Sequence, residues 1–309
     1  MNVNLVFGFL GSGKTTLIQR YLGSQSDLSK TAVIVNEFGD VGIDGRIIEG
    51  KNIDIIELNS GCLCCNLKGP MLDAIEEIES TKQIETLLIE SSGLAEPIDT
   101  LEALTDPKLI PKIEVGPIIT VISLPHFEKL LDYLGDFYSD QIRNADILVL
   151  NKADLVNAVQ SEAIRQSVRE LNAKADLLIT QQCDLEFDKL LQINRRSTDD
   201  FVTHVSGLQR PSSIGEHAHV HMDSVIVENA NNIRKQDLNR WLNGISSNIL
   251  RVKGFVNLDG QYSLLQYSVD QFTIDAIELS GSCQMVFIGK HLDRETLTSQ
   301  YQSLGSKID

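Results

Sequence analysis

The chain has 309 residues, of which 42% are hydrophobic, and its 27 basic and 43 acidic residues give a formal net charge of −16. Nucleic acids and anionic membrane surfaces are bound through clusters of Lys and Arg, so this acidic balance argues against both as partners. No apolar run reaches the roughly 18–20 residues that span a bilayer, and the N-terminus lacks the basic start and the cleavage site of a signal peptide. We therefore expect a cytoplasmic protein with two domains.

Short apolar runs alternate with helical patterns through the first part of the chain, up to Asn194. The predicted strands are Val3–Phe7, Ala32–Asn36, Ile53–Leu58, Thr86–Glu90, Pro117–Ile122, Ile147–Leu150 and Leu177–Thr180. The predicted helices begin at Lys14, Pro70 and Pro97 and cover His126–Leu134, Ser161–Asn172 and Glu186–Ile193. Several strands are uninterrupted Val, Ile and Leu runs, which are typical of strands buried on both faces. This order predicts an α/β fold with a doubly wound, mostly parallel sheet.

The pattern changes near Asn194, where a polar segment without clear periodicity begins. We predict a first domain at residues 1–194, a linker at 195–215 with a short strand at Phe201–Val205, and a second domain at 216–309. The second domain is predicted to contain strands Val220–Glu228, Ile249–Leu258, Tyr262–Val269 and Met285–Gly289 and helices Ile233–Ile245 and Asp293–Leu304. Such an order is typical of a small α+β domain, with an antiparallel sheet and two helices on one face.

Residues Gly8–Thr15 match the phosphate-loop motif G-x-x-x-x-G-K-[ST], and they lie between a predicted strand and a predicted helix. The glycines let backbone N–H groups face a phosphate, and the positive end of the helix dipole points at the same place. We expect Lys14 to reach the β- and γ-phosphates and Thr15 to bind Mg²⁺. The predicted nucleotide contacts of this segment are Gly8, Gly11, Ser12, Gly13, Lys14, Thr15 and Thr16.

A nucleotide site of this kind also needs an acidic residue near the magnesium ion. Glu90 ends a predicted apolar strand, and Gly93 lies three residues beyond it. Because parallel strands deliver their carboxyl ends to one edge of the sheet, Glu90 is expected beside the phosphate loop. We expect Glu90 to support Mg²⁺ and the Gly93 N–H to contact the γ-phosphate.

The identity of the nucleotide base is predicted from the residues at the end of another strand. Asn151-Lys152-Ala-Asp154 fits N-K-x-D at the end of the strand Ile147–Leu150. The Asp154 carboxylate can accept hydrogen bonds from N1–H and the exocyclic amine of guanine, a donor pair that adenine lacks. The stem of Lys152 can stack along the base. The motif therefore predicts GTP and GDP as ligands, with Asn151, Lys152 and Asp154 at the base.

Three thiols lie within four residues, at Cys62, Cys64 and Cys65. Soft thiolates select Zn²⁺, Cu(I) or similar ions, and three protein ligands leave one tetrahedral position open. Water, a residue of a partner or Glu37 would complete the site. Cys62 and Cys65 also form C-x-x-C, so a redox pair is the rival interpretation, and a purely structural cluster is another.

Three histidines, His217, His219 and His221, alternate at the start of the second domain. On a strand this alternation places them on one face, where they form either an auxiliary metal site or a polar, exposed surface. Cys183 and Cys283 stand alone and are interpreted as packing residues.

The motifs resemble those of the CobW-type P-loop GTPases, relatives of the nickel-insertion GTPases of urease and hydrogenase. The segments that carry the resemblance are Gly8–Thr15, Asn36–Asp44, Cys62–Cys65, Glu90–Pro97 and Asn151–Asp154. The resemblance covers nearly the whole chain. It implies GTP hydrolysis coupled to metal-ion delivery, with the C-x-C-C thiols binding zinc or a similar ion. The segment Thr180-Gln-Gln-Cys occupies the place of the guanine-side loop, and no base contact is carried over to it.

We therefore expect a GTPase that acts as a metal chaperone or metalloprotein activator. Its candidate catalytic residues are Lys14, Glu90 and Glu37, and its expected metals are Mg²⁺ with the nucleotide and Zn²⁺, or Co²⁺ or Ni²⁺, as cargo. The expected partner is a client metalloprotein, and a homodimer that depends on nucleotide or metal stays open. The rivals are a metal sensor that uses nucleotide only for stability and a nucleotide-gated thiol oxidoreductase.

Overall fold

The computed structural model describes residues 1–38, 54–60, 68–81, 83–93, 97–190, 198–208, 222–229, 231–244, 248–268, 271–277 and 281–305. The chain divides into two compact units, Met1–Ala218 and His219–Asp309. No helix in these ranges combines the length and the apolar character needed to cross a membrane. The predicted domain limits, at 194 and 216, stay a prediction.

The first unit is built on a seven-stranded sheet with the order β3-β2-β4-β1-β5-β6-β7, in which neighbouring strands run parallel. Its strands are β1 (Asn2–Phe7), β2 (Thr31–Phe38), β3 (Asp54–Ser60), β4 (Thr86–Glu90), β5 (Glu114–Ser123), β6 (Ile147–Asn151) and β7 (Asp176–Ile179). Its helices are α1 (Lys14–Ser24), α2 (Lys68–Thr81), α3 (Pro97–Leu104), α4 (Phe127–Leu134), α5 (Asp136–Arg143), α6 (Ala158–Leu171), α7 (Phe187–Leu190) and α8 (Thr198–Gly207). The predicted α/β fold is confirmed.

The sheet is buried on both faces because alternate residues of each strand enter different cores. On β1, Leu5 and Phe7 pack in a core that also receives residues of α2, α3 and α8. The intervening Val6 packs with α1 and α7 in a second core. Burial on both faces explains why the strands read as continuous apolar runs.

Helix α8 corrects one expectation. We predicted a short strand at Phe201–Val205 within a linker, whereas Thr198–Gly207 is helical. Phe201 and Val205 are four residues apart, so a helix presents both on one side, and both are buried in the core of the first unit. This part of the predicted linker therefore packs in the first unit.

The second unit is a small α+β structure, as predicted. Its antiparallel sheet has the order β12-β11-β10-β13-β8, and a short β9 pairs with β10. Its strands are β8 (Asp223–Glu228), β9 (Asn232–Ile233), β10 (Ile249–Leu258), β11 (Gln261–Ser268), β12 (Gln271–Ala276) and β13 (Gln284–Gly289), and its helices are α9 (Lys235–Asn243) and α10 (Arg294–Ser303). Both helices pack in a single core: Leu238 and Leu242 of α9 join Leu297 and Tyr301 of α10.

Candidate nucleotide site

The order of the first sheet brings the predicted nucleotide residues to one edge. Strand β1 lies between β4 and β5, and Val6 pairs with Glu90 in register. The phosphate loop, Gly8–Thr15, therefore begins beside the carboxyl end of β4. Asn151 ends β6, one strand beyond β5, and pairs in register with Ser123.

The phosphate loop depends on glycine at positions where other residues are strained. Gly8, Gly11 and Gly13 adopt φ of 137°, 73° and 114°, as the sequence led us to expect. A Cβ on Gly8 would lie 2.3 Å from the Val121 carbonyl oxygen. The turn ends at Lys14, where α1 begins. The first N–H groups of a helix have no acceptor within the helix, so those of α1 lie at the loop in a position that suits phosphate binding.

Lys14 is 7% exposed, and its Nζ donates to the Phe9 carbonyl oxygen at 3.3 Å. The ammonium group is thus held against the backbone of the phosphate loop. A buried cation next to the N-terminus of a helix is an anion-binding arrangement.

Thr15 and Glu90 meet at this edge although they lie far apart in the sequence. The Thr15 hydroxyl donates to Glu90 Oε1 at 2.9 Å, and Glu90 is only 4% exposed. Hydroxyl and carboxylate oxygens are the hard ligands that Mg²⁺ prefers, directly or through water. The donor set at this position therefore fits the magnesium ion of a bound nucleotide.

Asn151 connects the phosphate loop to the loop after β7. Its Nδ2 donates to the Ser12 carbonyl oxygen at 2.9 Å, and its Oδ1 accepts from the Cys183 N–H at 3.0 Å. A Cβ on Gly13 would lie 2.4 Å from Asn151 Nδ2, which explains why glycine is needed there. Asn151 thus fixes the geometry of the site from behind the loop.

Lys152 and Asp154 follow at the end of β6. Lys152 adopts a left-handed φ of 63°, and burial lowers the pKa of its ammonium while the Asp154 carboxylate opposes the change. Asp154 is exposed. An exposed carboxylate beside a half-buried lysine stem provides the acceptor and the stacking surface that a base requires.

The family model of the CobW/HypB/UreG nucleotide-binding domain matches residues 2–179, and that of the cobalamin synthesis protein CobW C-terminal domain matches residues 222–304. The chain belongs to the CobW/HypB/UreG family. The resemblance drawn from the sequence motifs is confirmed.

Full-length relatives carry names of zinc proteins. The chain is 28% identical to the zinc chaperone CobW of Sinorhizobium sp., with 83% of this chain and 81% of that protein covered. It is 26% identical to the zinc chaperone YjiA of Escherichia coli, with 98% of each covered. It is 27% identical to the zinc-regulated GTPase metalloprotein activator 1 of Saccharomyces cerevisiae, with 96% of this chain and 81% of that protein covered.

Several predicted site residues of this CobW-family chain lie outside the described residues. They are Cys62, Cys64 and Cys65 and the histidines His217, His219 and His221. Glu37 belongs to β2, but its side chain is outside the described part as well. Among the residues that are described, no group of three or more His, Cys, Asp and Glu side chains forms a metal-binding cluster.

Cys183 proves to be part of the site's support, which its isolated position in the sequence did not indicate. It has a left-handed φ of 53° and is fully buried behind the phosphate loop, with Sγ 3.5 Å from the Gly13 carbonyl oxygen. Burial raises the pKa of its thiol to about 12, so the thiol stays neutral. A neutral, enclosed thiol packs rather than binding metal, in agreement with the packing role that we predicted.

Gly93 lies against the phosphate loop. A Cβ at this position would lie 2.6 Å from the Leu10 backbone nitrogen. Only glycine allows this close approach, and it brings a segment after β4 next to the loop. The position suits the γ-phosphate contact that we predicted for the Gly93 N–H.

Proposed function

We propose that the chain is a GTPase that couples the binding and hydrolysis of GTP to delivery of a thiophilic transition metal, zinc first and cobalt or nickel as alternatives, to a client metalloprotein. The observation that carries this proposal is the Thr15–Glu90 hydrogen bond of 2.9 Å beside the phosphate loop. It brings together the two side chains expected at the magnesium ion, and Thr15 directly follows Lys14, the residue expected at the phosphates.

The residues divide the work of phosphoryl transfer. Lys14 stabilises negative charge on the β- and γ-phosphates, and the loop N–H groups orient the chain of phosphates. Thr15 would hold Mg²⁺ directly and Glu90 through water, and the bound ion would neutralise charge that develops on the phosphate oxygens. Glu37 is the candidate for positioning the attacking water, with a metal-ligand role as the alternative.

Guanine selectivity rests on Asp154. An exposed carboxylate at the end of β6 can accept from both N–H donors of guanine, whereas adenine offers no such pair. Lys152, whose stem is half-buried, supports the plane of the base. This assignment makes GTP and GDP, rather than ATP and ADP, the ligands of the site.

Metal handling rests on Cys62, Cys64 and Cys65. Three thiolates suit a soft ion and leave a position open for transfer. Membership of a family whose relatives include proteins named zinc chaperones supports zinc as the first choice. The cysteines follow β3 in the sequence. Because β3, β2 and β4 run parallel, β3 ends at the same edge of the sheet as β4, the edge that carries Glu90.

The test is a pair of titrations with hydrolysis measured alongside. Zn²⁺, Co²⁺ and Ni²⁺ are titrated into the GDP-loaded chain and into the chain loaded with a non-hydrolysable GTP analogue. We expect metal affinity to differ between the two states, with a typical coupling of about 1–3 kcal/mol, and metal to change GTP affinity by the same factor.

Replacing Cys62, Cys64 and Cys65 by Ser should remove tight metal binding and leave GTP binding intact, and Cys283→Ser is the matched control. Identical metal affinities in both nucleotide states would refute the coupling. A reversible Cys62–Cys65 disulfide that turns over with a redox partner would favour the oxidoreductase instead, and nucleotide binding without hydrolysis would favour the sensor.

A further inference from the structure

Helix α5 contacts the phosphate loop from behind. Tyr138, which is 1% exposed, packs its ring edge-on against Phe9 of the loop, with ring centroids 6.5 Å apart. Tyr138 also contacts Phe127 of α4, with centroids 6.1 Å apart. The helix is therefore in direct contact with the loop that cradles the phosphates.

Gln141 lies three residues further along the same helix and reaches two other parts of the site. It is 1% exposed, and its backbone carbonyl oxygen accepts from Thr120 Oγ1 of β5 at 2.7 Å. Its side-chain Nε2 donates to the Gly93 carbonyl oxygen at 3.5 Å. Since Gly93 also lies against Leu10 of the phosphate loop, it is enclosed between the loop on one side and a buried carboxamide on the other.

The helix is itself anchored. Asn172, at the end of α6, donates through Nδ2 to the carbonyl oxygens of Ile142 and Ala145, each at 2.9 Å. These bonds tie the C-terminal end of α5 to the end of α6. The position of Gln141 relative to the sheet is thus fixed by contacts that do not involve the nucleotide residues.

We propose that Gln141 is a positioning residue that raises the affinity of the site for a nucleoside triphosphate relative to a diphosphate. The peptide groups that flank a glycine rotate easily. The Gln141 carboxamide holds the carbonyl oxygen of Gly93, and Leu10 leaves no room beside its Cα, so Gly93 is kept at the position from which we expect its N–H to reach the γ-phosphate. A diphosphate has no group at that place, so Gln141 acts on triphosphate binding alone. The inference rests on the proposed function.

The experiment compares Gln141→Met with the native chain. Methionine has nearly the same size but no donor, and the backbone bond from Thr120 stays. Loss of the hydrogen bond to the Gly93 carbonyl oxygen should weaken binding of a non-hydrolysable GTP analogue about threefold to tenfold. GDP affinity should stay unchanged, and the turnover number for GTP should fall. A merely structural defect would weaken both nucleotides alike.

The matched control is Gln166→Met, which removes an exposed amide that donates to Glu162 at 3.2 Å on α6 and should leave both affinities unchanged. A second variant, Gln141→Leu, also removes the donor while keeping an apolar side chain of similar volume, and it should reduce the ratio of analogue to GDP affinity to a similar extent. If the ratio stays at the native value in either folded variant, the inference is overturned. If the native chain fails to bind the GTP analogue, the proposed function falls first and the inference with it.

Discussion

The two sheets of the chain place their polar residues in opposite ways. In the parallel sheet, β4 and β6 are buried along nearly their whole length, and each ends in a buried polar residue: Glu90 and Asn151 are 4% and 2% exposed. In the antiparallel sheet, β8 alternates, with Val225 and Val227 buried and Glu228 exposed.

The contrast follows from how each sheet is covered. A parallel sheet with helices on both faces has no free face, so only its carboxyl edge can carry chemistry. An antiparallel sheet with helices on one face distributes polar side chains along its strands. We therefore expect substitutions at the edge of the first sheet to change nucleotide chemistry, and comparable substitutions in the second unit to change stability.

The largest expected effect distinguishes two buried lysines, one in each unit. Lys14 and Lys253 are 7% and 4% exposed. Lys14→Ala should lower the GTP turnover number by roughly 100-fold or more, because it removes a preorganised charge from the transferring phosphoryl group. Lys253→Ala, in the middle of β10, should lower the free energy of unfolding while turnover stays at the native value. Steady-state hydrolysis and urea unfolding of both variants give the answer. Equal losses of turnover in the two variants would contradict the expected difference between the two units.

Two aspartates test whether position at the carboxyl edge of the parallel sheet decides the effect of a substitution on nucleotide binding. Asp154 follows the carboxyl end of β6, whereas Asp176 begins β7, and both are exposed. Asp154→Ala should weaken GTP binding by about tenfold or more, since it leaves donors of the bound base unpaired at roughly 1–3 kcal/mol. Asp176→Ala should leave GTP affinity unchanged. Nucleotide titrations with GTP and ATP measure both, and a native chain that binds ATP as tightly as GTP would contradict the guanine assignment.

The same contrast explains how much of the fold was readable from the sequence. Uninterrupted apolar runs predict several of the seven parallel strands, because a strand buried on both faces allows few polar residues. The alternating pattern of β12 was overlooked, although Phe272 and Ile274 pack against the core of the second unit. In helix α8 the apolar residues Phe201, Val202 and Val205 stand among polar neighbours, a pattern that fits a short strand as well as a helix, and only tertiary packing decides such a segment.

The parts of the candidate site that form a local sequence motif could be predicted. The residues that hold those motifs in place from distant parts of the chain could not. A few consecutive residues suffice to predict a phosphate contact at Gly8–Thr15 and a base contact at Asn151–Asp154. The bond from Asn151 to Ser12 spans 139 residues, and that from Gln141 to Gly93 spans 48. Helix α5 escaped prediction because it follows α4 after a single residue, Gly135, with a positive φ of 56°. No sequence period announces such contacts.

Two glycines, one in each unit, lie where an added Cβ would clash with backbone atoms. A Cβ on Gly93 would lie 2.6 Å from the Leu10 nitrogen, and one on Gly254 of β10 would lie 2.1 Å from the Gln284 carbonyl oxygen. Each Gly→Ala variant should be destabilised by about 1–3 kcal/mol, because backbone must shift to admit the methyl group. Only Gly93→Ala should also change affinity for the GTP analogue. Nucleotide titration and thermal unfolding measure the two effects, and a loss of nucleotide affinity in Gly254→Ala would contradict the expected division between the units.

The smallest expected effect is one that both units should share. Tyr138 and Tyr301 are buried, and within the described residues neither phenol hydroxyl has a hydrogen-bond partner. A buried polar group without a partner is destabilising, so Tyr138→Phe and Tyr301→Phe should each raise the free energy of unfolding by about 1 kcal/mol near neutral pH. Both substitutions keep the ring, and Tyr301 keeps the backbone carbonyl that accepts from Asn229 Nδ2 at 2.7 Å.

The dependence on pH identifies the hydroxyl as the cause. Burial raises the pKa of both phenols, above the ordinary value of about 10. Below that value both the folded and the unfolded chain keep the proton, so the gain from each substitution is constant. Above it the unfolded chain loses the proton while the folded chain retains it, and the native protein loses stability as pH rises. Each phenylalanine variant lacks one such group and should lose less, so its advantage in urea unfolding should be larger at about pH 10.5 than at about pH 8. An advantage that is the same at both values would mean that the phenol ionises equally well in the folded and unfolded chain, and would exclude buried hydroxyls as a shared cost of the two cores.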